Sequence, residues 1–307
     1  MGFKKTGKKV YTILKNSVDD FIDDNAIKLS ASLAYYTIFS LPPLLIVIIF
    51  LCGIFFGEEA VRGEIFSEIN GLVGNSAALQ IQDMIRNVKL SHDNTLAAIV
   101  GIGALIFGSS GVFSEIQSSI NYIWGLKPKP KKGIIKFLKN RLMSFSMIGA
   151  VGFLLMVSLA VNAIMDVLNQ RLMAHFPDIT ISIFYTLNMV IVYVIICLLF
   201  TLIFKSLPDG NVGWKYTIVA AAFTSLFFML GKFLIGLYLG KSNIASTYGA
   251  AGSLIIILLW VYYSAIILYF GAEFMKSYAR FNKQKIIPNE YSVWIEKEEV
   301  EVPAKHL

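Results

Sequence analysis

The stretch from Tyr248 to Arg280, YGAAGSLIIILLWVYYSAIILYFGAEFMKSYAR, constrains this chain more than any other. Between Gly249 and Ala272 it holds no charged residue. At about 1.5 Å per residue a helix there runs about 36 Å, longer than a hydrocarbon core of about 30 Å. Such a segment crosses a bilayer, and the cations that close it, Lys276 and Arg280, belong on the cytoplasmic side. Just before them Glu273 sits near the inner margin, with Tyr269 and Tyr262 on its helical face. Two readings of this acid stand side by side: a functional group turned toward protein or water, or a carboxylate reaching headgroup water from the helix end.

The other segments repeat the pattern. With 56% hydrophobic and only 15% charged residues, and a mean hydropathy of +0.66, the 307 residues cannot cover a soluble surface. The expected fold is all-α and polytopic, with six transmembrane helices plus short amphipathic interfacial helices. The spans fall at Leu29 to Phe56, Thr95 to Phe113, Leu142 to Met165, Ile179 to Phe204, Trp214 to Leu239 and Gly249 to Ala272. Residues 1–28 pair lysines with an apolar helical stripe and read as a basic cytoplasmic amphipathic helix on the membrane face. Residues 29–280 form the transmembrane domain, within which 58–94 read as an extracytoplasmic helical pair. Residues 281–307 read as a polar cytoplasmic tail, acidic and disordered or loosely attached from Pro288 to Leu307. Pro42 and Pro43 remove two backbone donors in the first span, so the sequence predicts a broken helix there. Either a cavity near Ser40 or a plain packing kink accounts for such a break.

Charge gives the orientation. With the N-terminus inside, inner segments carry 21 Lys and Arg and outer loops 5, and Lys232 lies within span five. That bias places both ends of the chain on the cytoplasmic side. It also explains the formal charge of +7 without nucleic acid. The densest basic run, Lys127, Lys129, Lys131, Lys132, Lys136, Lys139 and Arg141, is expected to contact anionic headgroups, so membrane lipids are the expected partners.

Enzyme signatures are scarce. His92, His175 and His306 are dispersed, Cys52 and Cys197 lie in apolar runs, and neither a metal-ligand spacing nor a nucleotide loop is present. The reading is therefore of a non-enzyme that needs no metal or cofactor. What remains is a set of polar residues in apolar helices: Glu115, Glu273, Asn162, Asn188, Lys232 and the tyrosines Tyr35 and Tyr36. A charge at the bilayer midplane costs about 2.5–3.5 kcal/mol, so each is a candidate for a transport path. Each has a bland counterpart: Lys232 snorkels to the outer headgroups, and Glu115 makes one buried hydrogen bond that fixes helix packing. Trp124 is expected to anchor the helix of Glu115 at the interface.

Four segments, ASLAYYTIFSLPP (31–43), FGSSGVFSEIQSSINYIW (107–124), LPDGNVGW (207–214) and 248–274, resemble the YihY/BrkB family of bacterial inner-membrane proteins, once named for ribonuclease BN. The Asp209-Gly210 turn departs from the Pro-Asn common in that family. The resemblance implies six helices with both ends cytoplasmic and supplies no catalytic residues. Three functions follow as expectations: transport or binding of a lipid-like or amphipathic solute in an inter-helix cavity, a non-transporting envelope scaffold that recruits partners, and, remotely, RNA processing.

Overall fold

The computed structural model describes residues 2–73, 75–87, 103–105, 107–129, 141–155, 157, 161, 177–241 and 250–295. Nine helices named here carry the architecture: α1 Gly2–Asp23, α2 Ala26–Phe56, α3 Glu58–Val73, α4 Asn75–Asn87, α5 Gly111–Ile123, α6 Arg141–Leu155, α7 Pro177–Ser206, α8 Trp214–Lys241 and α9 Ala250–Phe281. Four short strands join them: β1 Leu126–Pro128, β2 Gly210–Asn211, β3 Ile287–Pro288 and β4 Ser292–Trp294.

Among the described residues four helices are long and apolar enough to cross a membrane, within α2, α7, α8 and α9, and α6 is a shorter apolar helix. The protein is an all-α membrane protein apart from its two small ladders. Residues 95–102, the first part of the expected second span, lie outside the described residues, as do most of the later residues of the third.

α9 is the axis of the bundle. Tyr269, Ala272, Met275 and Ala279 are fully buried at helical spacing, and α1, α2 and α8 all pack on this helix. Lipid tails are as apolar as these side chains, so what selects the neighbours is close fit rather than escape from water. Ring stacks supply part of it: Phe223 of α8 lies 4.0 Å from Phe274 of α9, nearly parallel. α7 in turn packs on α8, with Phe200 edge-on to Phe228 at 5.8 Å.

α1 and α2 are separate helices because Asn25 adopts φ 52, a left-handed conformation that asparagine tolerates. α1 divides its apolar stripe between two surroundings. Ile13 is buried and Phe21 meets Phe270 of α9, whereas Val10, Tyr11, Val18 and Ile22 stay exposed with Lys8, Lys9 and Lys15. α2 ends where Gly57 takes φ 83 and returns its N–H to the Gly53 carbonyl. α3 and α4 then dock back on the bundle through Val61, Ile65, Ala77, Ile81 and Ile85, all buried.

Two expectations are corrected. α2 runs unbroken through Pro42 and Pro43, and Leu41 is helical. The two missing donors fall in one turn, and the Pro43 ring rests where a Cβ on Gly108 would come within 2.9 Å of it, so close packing holds the helix together. Ser40 is buried beside Gly111, which fills the place where a cavity was one of the readings. The tail is not loose at its start. β3 pairs antiparallel with β2 (Gly210 opposite Pro288), and β4 pairs with β1 (Leu126 opposite Trp294, Pro128 opposite Ser292). Residues 296–307 lie outside the described residues.

Candidate functional site

Two polar constructions and one apolar pocket stand out, and α9 contributes to the pocket and to one of the constructions. The first construction is a line of polar groups along α9. Glu273 is fully buried, and its Oε2 lies 3.1 Å from Lys276 Nζ, one turn further on. The same ammonium is 2.9 Å from Asp24 Oδ2 and 3.7 Å from Asp20 Oδ2, both carried by the end of α1 and its turn. Arg280 adds a contact to Asp20 at 3.4 Å. A buried charge is costly unless paired, and Lys276 gives three carboxylates a common partner. Glu273 Oε1 has no hydrogen-bond partner among the described residues.

One turn before Glu273, Tyr269 faces Ser119 of α5 and lies within electrostatic range of Glu115. Glu115 is half-buried and accepts a 2.6 Å hydrogen bond from Ser32 of α2. The two acids thus flank one tyrosine, at the junction of α2, α5 and α9.

The second construction centres on Asp209, only 5% exposed. Its carboxylate accepts from Asn121 (2.8 Å), Asn289 (3.3 Å) and Gln117 (3.4 Å). Its backbone N–H donates to Asn121 Oδ1, and its carbonyl accepts from the Asn289 N–H and the Ser292 hydroxyl. Amide donors stabilise this carboxylate and tie α5, the α7–α8 turn and the tail into one unit. Read from the sequence, Pro208-Asp209-Gly210 is only a turn; its partners, 80 to 92 residues away, carry no local signal.

Between α2, α3, α4, α6 and α9 lies a pocket of about 300 Å³. Its walls are apolar throughout, with Leu45, Ile48, Ile81, Leu155, Ile257 and Trp260 among them. That volume is at the low end for ligand sites, which run about 300–1,000 Å³.

The other sequence candidates fall elsewhere. Tyr35 and Tyr36 are exposed on α2, 61% and 46%, where the Tyr35 ring lies tilted against Phe39 at 5.0 Å. Asn188 is exposed on α7 and Lys232 is half-buried on α8. Asn162, Lys131, Lys132, Lys136 and Lys139 lie outside the described residues. Lys127 is exposed, and Lys129 donates to the Glu290 carbonyl. Arg141 turns inward: its guanidinium bonds the Ser110 hydroxyl and lies 4.6 Å over the Phe107 ring. Trp124 is likewise buried rather than interfacial, its indole N–H donating to the Ala272 carbonyl at 3.2 Å. No group of three or more metal-ligating side chains occurs among the described residues.

Comparison with known proteins agrees with this architecture. The family model described as virulence factor BrkB matches residues 17–291. A UPF0761 membrane protein of Psychromonas ingrahamii is 26% identical over 270 residues, covering 85% of this chain and 86% of the relative. A ribonuclease-like protein, YfkH, of Bacillus subtilis is 23% identical over 266 residues, 85% of this chain and 92% of its own. A UPF0761 membrane protein of Psychrobacter is 25% identical over 281 residues, 91% of this chain. This chain spans only 50% of that Psychrobacter relative, and 60% of a relative from Stenotrophomonas maltophilia. No solved structure matches the chain.

Proposed function

The chain belongs to the BrkB family of membrane proteins, and from that premise we propose that it binds an amphipathic, lipid-like solute among its helices and moves it across the bilayer without covalent chemistry. We place it in a bacterial inner membrane, crossing six times with both ends cytoplasmic, on the 21-to-5 distribution of basic residues. The single observation that carries the reading is the apolar pocket. A wall without polar groups gives a headgroup nothing to bind, whereas an acyl chain gains dispersion contacts on every side. About 300 Å³ suits one chain or part of one.

Trp260 in the wall supplies the test. Brominated stearate added to the protein in micelles is expected to quench fluorescence, and the share lost in Trp260→Phe reports the pocket. Ile48→Phe combined with Ile257→Phe fills the space and is expected to abolish that share at unchanged protein yield. Undiminished Trp260 quenching in the filled variant overturns the proposal.

A further inference from the structure

A second pocket, of about 540 Å³, opens where α9 ends. Its wall carries four cations, Lys276, Arg280, Lys283 and Lys285, and one acid, Asp24. Trp294 of β4 closes one side, its N–H held by the Ile286 carbonyl at 2.9 Å and the residue 54% exposed. Ile295 completes that wall, its N–H bound to the Gly125 carbonyl at 2.8 Å. The ladder that begins the tail therefore builds the enclosure.

The cations divide into two kinds. Lys276 and Arg280 are matched to Asp24, Asp20 and Glu273 as described above. Lys283 and Lys285 are exposed, and no described carboxylate lies within 4 Å of either. Among the described residues, two of the pocket's positive charges therefore have no carboxylate partner.

The way Lys283 is held is the second observation. α9 ends with the Gln284 N–H on the Ala279 carbonyl and the Lys283 N–H on the Arg280 carbonyl, a helix stop whose central residue is left-handed and normally glycine. Here that residue is Lys283, at φ 59. A side chain is held in a conformation unfavourable to it, and what it adds over glycine is an ammonium at the pocket rim.

We propose that this pocket binds a phosphate-bearing anion. The Arg280 guanidinium offers a planar fork of donors, Lys283 and Lys285 offer mobile charges, and the indole of Trp294 walls one side. The site lies about 22 Å along α9 from the nearest lining residue of the apolar pocket, Val261, so either proposal stands without the other. The phosphate could belong to a lipid headgroup at the membrane surface or to a soluble molecule, and the test separates them.

The full chain in phosphatidylcholine nanodiscs is titrated with inorganic pyrophosphate while tryptophan fluorescence is followed, with Trp294→Phe identifying the pocket's share. A saturable change is expected. Lys283→Gln with Lys285→Gln should weaken it roughly tenfold or more, since bonds to charged groups contribute about 1.5–3 kcal/mol each. Lys8→Gln with Lys9→Gln, an equal loss of charge on α1, should leave it unchanged. Lys283→Gly should weaken binding yet melt no lower than the parent, which excludes misfolding as the cause. Adding dioleoyl phosphatidate to the nanodisc assigns the site to a headgroup if it displaces pyrophosphate, and to a soluble phosphate if it does not. A parent without a saturable response to either probe, or an equal loss in the Lys8/Lys9 variant, overturns the proposal.

Discussion

The apolar pocket and the polar end of α9 are built on opposite terms. Around the pocket, Leu45, Ile48, Ile81 and Ile257 meet neighbours through contacts that have no required direction, and space is left between them. At the other end, Lys276 meets three carboxylates and Asp209 meets three amides, each at a set distance and angle. The first region can reshape around a guest because no bond is broken when a side chain shifts. The second fixes how the helices and the tail sit, because any shift strands a buried polar group. A protein that must both hold its shape and accept an irregular apolar ligand gains from keeping the two apart.

Mutation should separate them by size of effect. Lys276→Met leaves Asp24 and Glu273 without their shared cation, and should cost about 3–5 kcal/mol in unfolding measured in micelles. A cost below about 1 kcal/mol would show that the carboxylates find other partners, and the contrast between the two ends would fail. Asp209→Ala removes the acceptor for Asn121, Asn289 and Gln117, and should cost about 2–3 kcal/mol and release the tail to proteolysis before Trp294. Protection equal to the parent would place the tail's attachment in the ladders and in the backbone carbonyl of residue 209. Gly108→Leu drives a side chain against the Pro43 ring and should cost about 1–3 kcal/mol through overpacking. At the small end, the Ile48→Phe and Ile257→Phe pair fills existing space and should change stability by less than about 1 kcal/mol while removing the Trp260 quench. A loss as large as that of Lys276→Met would show the pocket to be as rigid as the polar end.

The sequence made the long helices legible because 18 or more apolar residues without charge admit few other structures. α3 and α4 were readable from their spacing, and Glu115 and Glu273 from the cost of an acid in an apolar helix. Partnership was not readable. Nothing local in Asp20 or Asp24 says that Lys276 will meet them, and a Pro-Asp-Gly turn looks the same whether its aspartate faces water or accepts three amide bonds. The double proline misled for a related reason: backbone rules see the lost donors and not the ring of Pro43 lodged against Gly108. Tyr35 and Tyr36 are candidates only as polar residues in an apolar helix, which carries no information about which way a helix face turns.

The hydrogen bond from Lys276 to Asp24 closes over 252 residues. At about 5–20 residues per second a ribosome needs roughly 13 to 50 s to make that much chain. α1 is therefore finished long before the surface it docks on exists, and its carboxylates and Phe21 wait for α9. Insertion of α1 and α2 cannot complete this junction; α1 is a latch that shuts only after α9 has arrived.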